Sequence, residues 1–85
     1  MALYLTEKDV SGLLDMRLTL DILDDAFKAQ GNGEVVNRPR LRIPLANGSY
    51  NLMSASWSGR GVVGHKSYTA TRNGASFHIM LYEAE

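Results

Sequence analysis

The sequence predicts an α+β domain, and two observations carry that prediction. Apolar residues recur at helical spacing up to Gly33 and at a period of two after it. The second part is punctuated by Asn47-Gly48 and Asn73-Gly74, pairs that mark hairpin turns. The expected architecture is two N-terminal helices packed on an antiparallel β-meander.

The elements follow in order. Thr6, with Glu7 and Asp9 behind it, reads as an N-cap and an acidic first turn, where the helix dipole favours negative charge. Val10, Leu13 and Leu14 then fall on one face. A second helix starts at Met16 or Arg17. Leu20, Leu23, Ala26 and Phe27 form its apolar stripe, and Asp21, Asp24, Asp25 and Lys28 its wet side. Gly31-Asn32-Gly33 ends it, because glycine accepts the left-handed conformation helix ends need. Leu41, Ile43 and Leu45 alternate with Arg40, Arg42 and Pro44 as the first strand. Tyr50 to Trp57 is the return strand, and Ser58-Gly59-Arg60-Gly61 a turn. Val62 to Thr71 and Ser76 to Tyr82 complete the meander, with Leu3 to Leu5 a candidate edge strand. Both faces of the last strand are apolar, a pattern usual for strands covered on both sides.

At 85 residues the chain is expected to form one domain spanning 1–85, too small for a large core. Lys plus Arg and Asp plus Glu number nine each, so the net charge is zero. That balance argues against nucleic acid and anionic membrane as partners. A 45% hydrophobic content argues against intrinsic disorder. The absence of cysteine excludes disulfides, thiolate metal sites and a cysteine nucleophile, and points to a cytoplasmic home. The N-terminus has no signal-peptide pattern, and no apolar run approaches the roughly 20 residues of a membrane helix.

Chemistry-bearing residues are few. Arg38, Arg40 and Arg42 fall on one side of a regular strand, where guanidinium forks suit carboxylate or phosphate. The same pattern fits a solvated, positive sheet face. Lys66 is set in an otherwise uncharged strand. Desolvated there, it would serve as acid, base or electrostatic clamp; alternatively its amine snorkels to water. Two histidines, His65 and His78, are too few for a metal site without Cys or nearby carboxylates. Gly59-Arg60-Gly61-Val62-Val63-Gly64 has the letters of a dinucleotide fingerprint but enters a strand, whereas that motif opens a helix. Met53 and Trp57 suit either a pocket wall or the core.

The order of segments, LTEKDVSGLLDM, LDILDDAFKAQGNGE, NRPRLRIPLANGSYNLM and GHKSYTATRNGASFHIMLYEAE, resembles the opening of the ornithine cyclodeaminase/mu-crystallin family. That family includes alanine dehydrogenases of the same type. The resemblance spans essentially the whole chain and rests on the combination rather than on one motif. It implies a substrate and dimerisation domain that works beside a Rossmann domain binding NAD or NADP, with hydride transfer at an amino acid's α-carbon. It assigns Arg40, thirteen residues before Met53, to the substrate carboxylate. It assigns Lys66 to catalysis and substrate binding at the reacting centre, and Met53 to the substrate pocket wall. Ser54 replaces a proline common in the family, and Asn51 stands where some members carry a basic residue; ATRNGASF resembles one branch in which Arg72 could approach the site, although beside the Asn73-Gly74 turn it also fits a surface charge.

From this follow several expectations. The chain is a truncated substrate-domain piece, without the nucleotide-binding domain. It carries no cofactor or metal of its own, NAD(P) belonging to the full-length family enzyme, and it is inactive alone. Its partners are a small amino or 2-oxo acid and further copies of itself through the exposed sheet. The alternative is a stand-alone oligomeric module that binds small carboxylates or is purely structural.

Overall fold

A computed structural model describes residues 2–84 and has the α+β architecture expected. Helix α1, Glu7–Leu13, begins where Thr6 and Asp9 form a reciprocal capping box. The Asp9 amide donates to the Thr6 hydroxyl (3.2 Å), and the Thr6 amide donates to the Asp9 carboxylate (2.8 Å). Helix α2, Met16–Gly31, is capped by Asp15, whose carboxylate accepts from the Leu18 amide at 2.7 Å. Gly33 turns the chain out of α2 at φ 78°, and the Glu34 amide reaches back to the Ala29 carbonyl (2.9 Å).

The sheet comprises β1 (Val35–Asn37), β2 (Leu41–Leu45), β3 (Gly48–Trp57), β4 (Val62–Thr71) and β5 (Gly74–Glu83). All pairings are antiparallel; β1 and β2 share one edge of β3, and β4 and β5 follow on the other side. Asn37 lies opposite Ala55 and Leu41 opposite Leu52, so Arg38-Pro39-Arg40 adds one residue to the edge. Proline cannot donate to a ladder, and edge interruptions are where it is tolerated. The three arginines therefore do not ride one regular strand, as their spacing suggested.

Other differences are local. Val35–Asn37 forms a strand that its short, mixed sequence did not announce, and Leu3 to Leu5 forms none. The two tight turns fall one residue earlier than expected, at Ala46-Asn47 and Arg72-Asn73. Gly48 and Gly74 are the first residues of the returning strands. Gly48 is required by close approach: a Cβ there would stand 2.8 Å from the Thr71 Cα. Gly74 has φ 119°, a region closed to other residues.

Burial is sparse. Ala29 is the one fully buried apolar side chain among the described residues. α2 meets the sheet at β1, and along it Ala29 is buried and Ala26 half-buried, while Leu20, Leu23 and Phe27 stay exposed. All ten residues of β5 are exposed as well, contrary to the covering its two apolar faces suggested. The chain exposes 7227 Å², against about 5,000 Å² for a compact monomer of 9.4 kDa. Its radius of gyration is 14.8 Å, against about 12 Å for a compact chain of this length. Among the described residues no helix is long and apolar enough to cross a membrane.

The capping box has a pH signature. Hydrogen bonds from the Thr6 amide and hydroxyl hold the Asp9 carboxyl below its ordinary value of 3.8. The lowered folded value means the box is fully formed above the unfolded pKa of about 3.9 and is lost as pH falls through the folded value. α1 helicity, followed by NMR chemical shifts, should therefore drop on acidification below about pH 4. In Asp9→Asn this step should be absent; the same step in that variant would contradict the assignment.

Candidate functional site

The unbroken register of β3, β4 and β5 decides which side chains meet. Met53 lies opposite Lys66, and Lys66 opposite Ile79. Directly opposed residues of an antiparallel pair point to the same face. One face of the sheet thus carries the row Met53–Lys66–Ile79. The next row, Asn37–Ala55–Gly64–Leu81, is built of small residues at its centre. Beyond it stand Val35, Trp57 and Val62. Small residues between two rows of larger ones leave a groove of about 390 Å³, to which α2 contributes Ala26. Met53, Trp57, Lys66, Ile79 and Leu81 line it.

Gly64 is the floor of that groove. A Cβ on it would stand 2.6 Å from the Met80 carbonyl oxygen. The absence of a side chain therefore serves both the close approach of β5 and the open volume above.

Lys66 is half-buried, and its amine sits 5.5 Å over the Tyr68 ring and 5.7 Å from the Phe77 ring. Those rings stack on each other with centroids 4.7 Å apart. Their π faces attract the ammonium without neutralising it, so it remains available to an anion.

On the same face, Arg42 lies opposite Asn51, and Asn51 opposite Tyr68. Asn51 is the most buried side chain in the chain's described residues, 1% exposed. Its amide oxygen accepts from the Arg42 Nε at 2.9 Å, and its amide nitrogen donates to the Ser49 hydroxyl at 3.0 Å. With Nε engaged, the terminal nitrogens of Arg42 are held as a fork, and among the described residues they make no hydrogen bond or salt bridge. Two strand spacings and two residues of rise separate Arg42 from Lys66, about 12 Å between Cα atoms.

Of the residues picked out from the sequence, Lys66 and Met53 line the groove together. Arg40 does not line it; it is exposed, one residue before the first paired residue of β2. Continuing the β2 register by one residue would set it beside Met53. Arg38 anchors the edge by its amide, which donates to the Ser54 carbonyl (3.0 Å). Arg72 is in the β4–β5 turn, at the far end of the sheet from the groove. His65 and His78 fall on the opposite face from Lys66, and no group of three potential metal ligands exists among the described residues. The Gly59–Gly64 string spans a short 3-10 turn and the start of β4, as anticipated.

Asn51 and Arg42 were missed as a pair. Nothing in a linear reading joins residues nine apart across a hairpin until the register is known.

The remaining cations divide clearly. Among the described residues, Lys28 pairs with Asp24 (3.0 Å) and Arg60 with Asp25 (3.6 Å). Arg60 also lies 4.5 Å over the Trp57 ring, tying the turn before β4 to α2. Lys66, Arg40 and Arg42 make no salt bridge there. The fold and site thus define an α+β domain with a cation-bearing sheet face beside an apolar groove. Comparison of the chain with protein-family models, with curated proteins and with solved structures finds no match.

Two substitutions test this geometry. Asn51→Ala leaves the Arg42 Nε and Ser49 without their buried partner and should cost about 1–3 kcal/mol in urea unfolding. Gly64→Ala should cost a similar amount, about 1–3 kcal/mol, by pushing β5 away from β4. Unchanged midpoints in both would show that neither contact holds the sheet.

Proposed function

We propose that this chain is the substrate-side part of an NAD(P)-dependent oxidoreductase resembling the ornithine cyclodeaminase/mu-crystallin family. Its ligand is a small amino or 2-oxo acid. The observation that carries the reading is the shared face of Lys66, Met53 and Arg42, with free cations next to an apolar groove.

The division of labour follows from the side chains. A carboxylate is gripped by guanidinium forks, from Arg40 as the resemblance implies and from Arg42 as its Asn51 support favours. Met53 packs against the ligand's carbon chain. Lys66 donates to the 2-oxo oxygen or the corresponding nitrogen and stabilises the charge that develops there. Hydride transfer needs a nicotinamide. The residues described here do not suit one, since the only glycine-rich string opens a strand. The chain alone therefore binds and orients, and does not reduce.

A second reading is a stand-alone small-carboxylate-binding module without chemistry. It draws on the same face and differs only in needing no second domain.

Isothermal calorimetry with pyruvate and alanine tests the shared part. Binding should weaken as ionic strength rises, and Lys66→Met should lower affinity about tenfold or more. Arg40→Ala and Arg42→Ala should each weaken carboxylate binding. Equal affinity in all variants would remove the site. With NADH or NADPH added, the chain should show no turnover of either acid; turnover by the chain alone would contradict its role as a substrate-side part.

A further inference from the structure

We propose that Arg42 and Lys66 are two separate anion sites on one face of the sheet, and that the ligand they take together is a dicarboxylate: an amino or 2-oxo acid whose second carboxylate lies two or three carbons from the first. The inference rests on the reading of this face as a small-acid site and narrows its ligand class.

Each cation is held in place by an uncharged partner. The Arg42 Nε donates to the Asn51 amide oxygen at 2.9 Å. Asn51, 1% exposed, is itself fixed by its bond to the Ser49 hydroxyl (3.0 Å). The Lys66 amine lies 5.5 Å from the Tyr68 ring and 5.7 Å from the Phe77 ring. An amide oxygen and two π faces orient a positive charge without cancelling it. Arg60, which ties a turn to α2, has a carboxylate partner instead, in Asp25.

The two sites stand apart. The stacked rings of Tyr68 and Phe77, 4.7 Å between centroids, repeat the strand spacing, so each stands over its own strand. Nearly equal distances to both put the amine over the β4–β5 pair. The Arg42 side chain starts from β2 and is held at Asn51 on β3. One and a half to two strand spacings separate the head groups, roughly 7–10 Å. A lone carboxylate, with oxygens about 2.2 Å apart and hydrogen bonds of ~2.8 Å, bridges about 8 Å at most, and only with every atom in line. Two carboxylates joined through two or three carbons cover the gap with bent, ordinary contacts.

The charges of the chain are sorted in the same sense. From Val35 to Tyr82 there are six basic residues and no Asp or Glu; all nine acids lie outside that stretch. Of the six, Arg60 alone pairs with a carboxylate among the described residues. The zero net charge therefore covers a sheet whose cations are unmatched. A dianion answers two of them where a monoanion answers one.

Calorimetry with two five-carbon acids, 2-oxoglutarate and 2-oxopentanoate, tests the proposal, because they differ in the second carboxylate. The chain should bind 2-oxoglutarate about tenfold or more tighter. Arg42→Gln keeps much of the reach without the charge and should bring the two acids within about twofold of each other. Arg42 is exposed, and circular dichroism matching the parent shows that the variant folds. Asn51→Asp should erase the preference with the guanidinium still in place, because the new carboxylate neutralises it. Equal affinities in the parent, or a preference for 2-oxoglutarate that survives in either folded variant, would overturn the two-site proposal and leave a small-acid site standing. A parent that binds neither acid would overturn both.

Discussion

The β3–β4–β5 ladder is the constraint on which the rest depends. Ten consecutive pairs join β3 to β4, and ten join β4 to β5, with no bulge in either. Side chains on a strand alternate with period two, so a slip of one residue would transfer every one of them to the other face. The register therefore fixes the groove, the company of Lys66 and the burial of Asn51 at once. Little else holds the chain together, since the helices touch the sheet mainly at β1 and the apolar stripe of α2 lies open.

Within that ladder, polar and apolar features are sorted by row. The Arg42–Asn51–Tyr68–Phe77 row places a supported guanidinium at one edge and stacked rings at the other. The Met53–Lys66–Ile79 row sets an amine between apolar neighbours. The Ala55–Gly64–Leu81 row drops away to form the groove. A face of this kind suits the proposed anionic ligand, because cations and an apolar surface lie side by side on it. It is less suited to long polyanions, which need a basic excess that the chain does not have.

Much of the fold was legible in the sequence, and the reasons are local. Thr6 and Asp9 carry their capping function in their own side chains, and Gly31-Asn32-Gly33 marks the helix end with backbone freedom, whereas the Asp15 cap of α2 emerged only with the structure. The alternation through β2 is equally local. What stayed hidden depends on partners distant in the chain. Val35–Asn37 is a strand because β3 extends far enough to pair with it, not because of its own residues. Gly48 looked like a turn residue but is required by the backbone of Thr71. The arginine run looked like a strand face, yet Pro39 breaks it at the edge, leaving Arg42 with Asn51 and Arg40 outside the paired strand. Lys66 and Met53 were visible as an unusual strand lysine and a possible wall residue, but their adjacency came only with the register.

The most direct measurement is the pattern of cross-strand nuclear Overhauser effects between β3 and β4 in solution. Contacts joining Met53 to Lys66 and Asn51 to Tyr68 are the predicted result, and they put the amine and the supported guanidinium on one side. Contacts joining Met53 to Ser67 or His65 instead would move Lys66 to the other face and contradict the account.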